Sequence, residues 1–334
     1  MFKPVFTAVL VASHLLLSAH AFAQVKNDAG TEAFRQGNYV QAQSEWTALA
    51  EAGDANAQFS LGILLLSDKS GLKDEKAAME WFAKAAVLGN TKAQFNLAEG
   101  YRRGVGLEKD MAQAVVWYTK AAEANFVIAQ YTLGILHETG DGVPKDYALA
   151  IKWLQLATDQ QYAEANFALA RMHALGEGTD VNMRLAGLYA GYAAQQGYAP
   201  AQTYLATLYL SGQGVSKDSS QAISWLMKAA QQGHARAYVW LGNICNDGNG
   251  VPVDTTRAYV YYTLAEKLDV DKELQGSASR FKFGLALRMK PEDIQKATQL
   301  ANDWVVGTQP PLYAPTYAIR KPQSDAAKPA AVSK

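Results

Sequence analysis

The sequence has few cysteines, no excess of either charge and no long apolar run after its first residues, and each of these features defines a common class of protein. It contains one cysteine among 334 residues, Cys245, so no disulfide can form within a chain and stability has to come from packing. Neither sign of charge is in excess, with 31 basic and 31 acidic residues. This balance predicts against a nucleic-acid-binding or membrane-surface protein, because both classes carry a basic excess. After the first 23 residues no apolar run is long enough to span a bilayer.

The first 23 residues have the pattern of a cleavable secretory signal peptide. A basic start at Lys3 precedes an almost unbroken apolar run from Val5 to Leu17, and Ala21-Phe22-Ala23 supplies the small residues that signal peptidase requires. The run is shorter than the ~20 residues of a membrane-spanning helix, so an uncleaved anchor is the less favoured alternative. We therefore expect a periplasmic or secreted protein whose mature chain begins at Gln24 and has no integral membrane segment.

A pattern that recurs every 36 residues gives the organisation of the chain. Each unit has a leucine at its fifth position, an alanine at its 22nd, an aromatic residue at its 25th and a second alanine at its 29th. The register is unbroken over six units, so chance does not explain it. The units begin at Ala57, Ala93, Ala129, Ala165, Ala201 and Ala237.

The spacing within each unit predicts two helices joined by a turn. Small or apolar residues at the first, second, fifth, sixth and ninth positions form one stripe at helical period. Glycine pairs such as Gly104 and Gly106 end the first helix, because glycine adopts positive φ angles. The two alanines and the aromatic share a face of the second helix, so we predict that the aromatic fills the space between helices. An N-cap residue for the second helix recurs as Asp74, Asp110, Asp146, Asn182, Asp218 and Asp254.

Each helix pair exposes apolar surface on both sides and is stable only when it is stacked on neighbours. The sequence therefore predicts an all-α solenoid of six 36-residue helix-pair repeats over residues 57–268. We expect residues 24–56 to form an N-terminal capping helix pair and residues 269–305 to form C-terminal capping helices. Residues 306–334 are rich in proline and alanine, which predicts a disordered tail.

The repeat resembles the Sel-one-like repeat family, a relative of the tetratricopeptide repeat. Ala129 to Gly134, Gly140 to Val143 and Trp225 to Ala230 carry the pattern, and the resemblance spans roughly Ala33 to Trp304. It implies a right-handed α/α superhelix that binds partner proteins on its concave face. For an exported bacterial member it also implies an adaptor in envelope assembly, secretion or host contact. A periplasmic immunity protein against a secreted toxin is the alternative that the resemblance leaves open.

No group of residues in the sequence indicates catalysis. No nucleophile elbow or zinc-binding helix motif occurs, and the glycine pairs follow no strand, which marks them as turns rather than phosphate loops. His137 and His173 share the ninth position of consecutive units. Because that position belongs to the packing stripe, we expect hydrogen-bonded histidines there and no metal. We therefore predict a protein that is not an enzyme and has no cofactor.

A hydrolase of the cell wall or of β-lactams on the same fold is the alternative from another functional class. Some cysteine-rich members of the family have been described in that way, and those members carry a disulfide in each repeat. This sequence cannot form such disulfides, which counts against the enzyme alternative.

Residues that bind a partner are expected on the face of the first helices opposite the packing stripe. Positions four, seven and eleven of each unit lie within ~60° of each other on the helical wheel. Their identities vary between units, and they include Tyr, Trp and Arg, the usual anchors of protein interfaces. The predicted partner-binding residues are Asn96, Glu99, Arg103, Arg171, Tyr204, Thr207, Trp240 and Asn243, with Asp247 at the eleventh position of the last unit. The partner is expected to be another protein.

Overall fold

The structure is a computed structural model that describes residues 29–268 and 272–308. In these ranges all regular elements are α-helices, sixteen in number. Two helices precede the repeats: α1 (Ala29–Arg35) and α2 (Tyr39–Glu51). The repeats comprise α3 (Ala55–Leu66), α4 (Glu75–Val87), α5 (Thr91–Arg103), α6 (Met111–Glu123), α7 (Val127–Thr139), α8 (Tyr147–Asp159), α9 (Ala163–Leu175), α10 (Met183–Gln195), α11 (Ala199–Ser211), α12 (Ser219–Gln231), α13 (Ala235–Asp247) and α14 (Thr255–Leu268). Two more follow: α15 (Lys272–Ala286) and α16 (Pro291–Asp303).

The helices pack in chain order within each of two compact units. One unit extends to Gln160 and the other begins at Gln161. In the first unit each helix from α1 to α8 packs against the next, and in the second unit α9 to α14 do the same, with α15 and α16 both packed on α14. The predicted all-α repeat fold is confirmed. The predicted signal peptide and residues 309–334 of the predicted tail lie outside the described residues.

Both ends of the turn within a repeat follow the sequence prediction. At the six predicted N-caps the side-chain oxygen accepts a backbone N–H of the first turn of the second helix, at 2.8–3.0 Å. This satisfies a donor that has no partner within the helix. The first helices end on a left-handed glycine in five repeats, at Gly104, Gly140, Gly176, Gly212 and Gly248.

The second glycine of the pair lies against the preceding repeat. A Cβ on Gly106 would lie 2.2 Å from the backbone oxygen of Glu75, and one on Gly214 would lie 1.9 Å from that of Met183. Glu75 and Met183 are the first residues of α4 and α10. Both glycines also have positive φ angles, which a side chain would strain. The pair therefore ends one helix and lets the turn contact the preceding repeat in the stack.

The recurrent leucines and alanines form the core, as predicted. The six leucines at position five are at most 3% exposed, and both alanines of the second helix are fully buried in every repeat. Each position is thus held by tight contact between neighbouring helices, because a larger or polar side chain there would lose packing.

The aromatic residue at position 25 packs between helices as predicted, since Trp117 lies against the core clusters around both α4 and α6, but it is not the most deeply buried side chain. In five repeats this residue is half-buried, and a lysine ammonium lies over the ring of Trp81, Trp117 and Trp225 at 3.8–4.0 Å from the centroid. Such a cation–π contact covers the exposed face of the ring. The fully buried large side chain is the next residue, at position 26: Phe82, Tyr118, Leu154, Leu226 and Tyr262 are each at most 2% exposed. One residue further is ~100° around the helix, which turns this side chain into the core.

A recurrent hydrogen bond that the sequence reasoning missed joins five of the six first helices to the helix before them. The side-chain nitrogens of Gln58, Gln94, Gln130 and Gln202 donate to the backbone oxygens of Ala50, Ala86, Ala122 and Ala194 at 3.0–3.1 Å. The hydroxyl of Tyr238 does the same to Ala230 at 2.8 Å. Carbonyls in the last turn of a helix have no partner within the helix. Each of these five accepts a backbone N–H of the adjoining turn, and the following repeat supplies a second donor.

The C-terminal end of the described chain is held by α12 and α14. Pro291 is the first residue of α16, where its missing N–H has no cost. Gly307, which was predicted to belong to the disordered tail, donates its backbone N–H to the oxygen of Gln231 at 2.9 Å. None of the helices described in either unit combines the length and apolar character that are needed to cross a bilayer.

Candidate functional site

The predicted partner-binding residues lie on four first helices. In the compact unit that ends at Gln160, α5 carries Asn96, Glu99 and Arg103. In the compact unit that begins at Gln161, α9 carries Arg171, α11 carries Tyr204 and Thr207, and α13 carries Trp240 and Asn243. None of these eight residues, called the binding row below, is fully exposed. They are therefore more buried than residues on a free helix surface would be.

Glu99 is engaged within its own repeat. Its carboxylate accepts from Arg102 Nε at 3.1 Å and Nη2 at 2.8 Å, and also from the hydroxyl of Tyr118. Burial and the negative charge of Glu99 both raise the pKa of Tyr118, so its hydroxyl stays protonated and remains a donor. The pair of Glu99 and Arg102 thereby satisfies a buried tyrosine of the second helix.

Asn243 has the same role in the sixth repeat. Its Oδ1 accepts from the hydroxyl of Tyr262 at 2.8 Å, between the same two repeat positions that join Glu99 to Tyr118. In the first repeat both positions are apolar, Ile63 and Phe82, and both residues are buried. A polar residue at position seven thus accompanies a tyrosine at position 26, a co-occurrence that the sequence could have revealed.

Asn96 and Arg103 carry donors without hydrogen-bond partners in the described chain. Asn96 is 6% exposed and its Nδ2 has no acceptor, and the Nη1 of half-buried Arg103 is buried without one. Asn96 therefore does not lie on an open surface as predicted. A buried donor without an acceptor is costly to the fold, and both nitrogens are buried, so neither is exposed to a docking partner.

In the second unit the predicted residues surround aromatic packing. The Tyr204 ring contacts Phe167 edge-on at 5.9 Å, and burial raises the pKa of Tyr204. The hydroxyl of Thr207 donates to the backbone oxygen of Tyr204 at 2.7 Å. Trp240 is half-buried against the core cluster that α13 to α16 share.

Arg171 is half-buried, and its charge acts on a neighbouring tyrosine. Burial and then Glu164 raise the pKa of Tyr198 to about 12, while Arg171 lowers it. The Arg171 guanidinium therefore acts on the ionisation of Tyr198, and it is also one of the predicted partner-binding residues.

The reactive groups of the chain are placed for packing. Burial raises the pKa of the Cys245 thiol to about 12, which keeps it protonated and a poor nucleophile. The ring of His173 stacks on Tyr189 with 5.5 Å between centroids. Within residues 29–268 and 272–308, no three His, Cys, Asp or Glu side chains come close enough to hold a metal ion.

Stacked helix pairs joined by repeated caps and turns define a helical repeat protein. Six consecutive segments match the Sel1 repeat, at residues 55–90, 91–126, 127–162, 163–198, 199–234 and 235–270. The chain belongs to the Sel1 repeat family, whose members mediate protein–protein interactions.

Solved structures show the same fold. A Sel1 repeat protein from Oxalobacter formigenes is 32% identical over 72% of this chain and 98% of its own, with a TM-score of 0.66. A protective antigen of uropathogenic Escherichia coli with an SLR fold is 25% identical over 79% of this chain and 63% of its own, with a TM-score of 0.51. No curated protein gives a significant match to the sequence.

Proposed function

We propose that this protein is an exported scaffold that binds another protein on the predicted concave face, along positions four, seven and eleven of the first helices. The observation that carries the proposal is the contrast within each repeat. Leucine and alanine at the stacking positions are invariant and buried. The row opposite them varies between repeats, and only part of that variation, at Glu99 and Asn243, matches a buried tyrosine of the second helix.

The chemistry of the row favours its half-buried arginine and aromatic residues as anchors, with Arg171 on α9 and Tyr204 on α11. Nδ2 of Asn96 and Nη1 of Arg103 lie about two turns apart on α5 and have no acceptor in the described chain, but both atoms are buried and do not meet a docked partner. Glu99 and Asn243 would contribute less, because both already accept from a tyrosine of their own repeat.

Export rests on the first 23 residues of the sequence. The apolar run and the Ala21-Phe22-Ala23 site support cleavage before Gln24. N-terminal sequencing of protein recovered from the cell envelope or medium is expected to return Gln24, and a sequence that starts at Met1 would favour the anchored alternative.

The binding surface can be tested with two matched double variants of the second unit. Partners are first captured from envelope extract and identified by mass spectrometry. Arg171→Ala with Tyr204→Ala is expected to weaken capture of an identified partner about thirtyfold, since loss of an interface anchor typically costs that much or more. The control, Arg184→Ala with Tyr192→Ala, removes the same residue types from exposed positions of α10 and should leave capture unchanged.

Unchanged capture by the first variant, at wild-type helicity and melting temperature, would contradict the surface assignment. Equal losses in both variants would show that the effect is not specific to the first helices. Hydrolysis of a chromogenic lactam by the purified protein, abolished by one substitution, would instead favour the enzyme alternative.

A further inference from the structure

The outward side of α15 differs in character from the side that packs on α14. Leu274, Ala278 and Leu285 belong to the core cluster of the second unit, with Ala278 and Leu285 at most 2% exposed. Arg280, Phe283 and Leu287 lie within about 60° of one another on the opposite side of the helical wheel. The second side has no packing partner from the described chain to account for its apolar residues.

Phe283 and Leu287 are both largely exposed. Phe283 is 67% exposed near the end of α15, and Leu287, one turn later and one residue past the end of the helix, is 73% exposed. Neighbouring Phe281, by contrast, stacks on Tyr262 with 5.4 Å between ring centroids. Two adjacent apolar side chains that protrude into solvent mark a contact surface when their surroundings also specify a partner.

The surroundings of this pair are basic. Between Leu274 and Pro291 the sequence has four basic residues and no acidic one. The ammonium of Lys282 is paired with Glu266 on α14. Arg280 and Arg288 are exposed and their Nε atoms donate only to backbone oxygens of their own helix region, at 3.3 and 3.4 Å. The nearest acidic residues along the chain are Glu273, one residue before this stretch, and Glu292 and Asp293, in the first turn of α16.

The charge argues against coverage by the protein itself. A second copy docked on the same face would bring two arginine-rich surfaces together, which is unfavourable in a low-dielectric contact. Residues 309–334 carry four basic residues and one acidic residue, so the chain's own C-terminal segment has the same sign of charge. The complementary occupant is therefore a negatively charged surface that also accepts apolar side chains.

We propose that this face of α15 docks on an anionic lipid bilayer. Phe283 and Leu287 would enter the boundary between headgroups and acyl chains, while Arg280 and Arg288 would pair with lipid phosphates, as in interfacial amphipathic helices. The chain as a whole is neutral, so it has no basic surface over the entire protein, but the surface around Arg280 and Arg288 is locally basic. The contact is independent of the partner surface on the first helices, and it spans no membrane.

The test uses the chain from Gln24 to Lys334, which keeps every described residue and removes the apolar run that would itself enter a bilayer. Co-sedimentation is measured with vesicles of phosphatidylcholine alone and with vesicles that contain phosphatidylglycerol. Binding is expected only to the second kind and should fall as salt rises. Phe283→Ser with Leu287→Ser should lower the partition coefficient about tenfold or more. Arg280→Gln with Arg288→Gln should lower it comparably and reduce its salt dependence.

The matched control is Val87→Ser with Leu88→Ser, which removes a similarly exposed apolar pair at the end of α4. This variant should bind like the wild type. Equal binding to both kinds of vesicle, absence of binding, or binding that survives the changes in α15 would overturn the proposal. Concentration-dependent dimerisation that is lost with Phe283→Ser would also overturn it, because the face would then contact a second copy.

Discussion

The assignment of Glu99 to the interior of its repeat can be measured as a stability effect of Tyr118→Phe. This change removes the hydroxyl that donates to the Glu99 carboxylate and leaves the ring in place. Tyr118 is fully buried and its acceptor is charged, a combination for which a hydrogen bond contributes about 1.5–3 kcal/mol. Glu99 keeps both bonds from Arg102, so no carboxylate is left without a donor. The expected loss is therefore at the lower end, about 1.5–2 kcal/mol.

Tyr262→Phe in the sixth repeat provides the matched comparison. Its acceptor, Asn243, is a neutral amide at 2.8 Å, so the loss should be smaller, about 0.5–1.5 kcal/mol. Urea denaturation followed by circular dichroism gives both values. A double-mutant cycle of Tyr118→Phe with Glu99→Ala should show a coupling of about 1 kcal/mol or more. Additivity within about 0.5 kcal/mol would refute the reasoning and return Glu99 to the residues that can contact a partner.

Three further predictions concern the stack. Gly214→Ala should lower the free energy of unfolding by more than about 2 kcal/mol, because the φ of Gly214 is positive and a Cβ there would lie 1.9 Å from a backbone oxygen of the preceding repeat. The control Gly191→Ala, at a position with open space around it, should be neutral or stabilising. Leu154→Ala should cost about 2–5 kcal/mol, and half-buried Trp117→Ala should cost clearly less in the same urea titration. Burial lowers the pKa of His234 to about 4, below its unfolded value near 6.5, so its contribution is present above pH ~6.5 and is lost as the pH falls toward 4. The loss should reach at most about 3 kcal/mol and be absent in His234→Asn.

The helix pairs, turns and caps could be predicted because each has a local cause that recurs. Asp110 accepts from the backbone of its own first turn, and Gly104 is left-handed because the helix ends there. Both requirements are met within a few residues along the chain, so a 36-residue register shows them directly. The prediction of the fold follows from the same recurrence.

The core position of the second helix could not be predicted in this way, because its identity changes from repeat to repeat. A Cβ on Gly134 would lie 2.6 Å from Leu154, and one on Gly242 would lie 2.5 Å from Tyr262, so only a small residue fits opposite this position. In the fourth repeat both positions are alanine, Ala170 and Ala190, and both are fully buried. A position that holds phenylalanine, tyrosine, leucine or alanine lacks the recurrence that made the tryptophans conspicuous.

The partner-binding residues were harder to predict than the core. A polar residue opposite the packing stripe can serve a binding partner, or it can serve a buried group of its own repeat. Asn243 satisfies a buried tyrosine, whereas the Nδ2 of Asn96 satisfies nothing in the described chain. Helical periodicity gives the same direction to both side chains. The residues that they contact on the second helix distinguish them, and those contacts exist only in the folded repeat.

The hydrogen bonds from position two give the stack a direction. In α4, α6, α10 and α12 a C-terminal carbonyl accepts a backbone N–H of the following turn and, from the residue eight positions later, a side-chain donor, such as Gln94 for Ala86 and Gln202 for Ala194. A cut at such a repeat boundary therefore leaves the carbonyl of the N-terminal piece with its turn N–H alone, and it leaves the side-chain donor of the C-terminal piece without its acceptor. During synthesis, likewise, the side-chain bond of the newest of these helices forms only when the beginning of the next repeat has emerged.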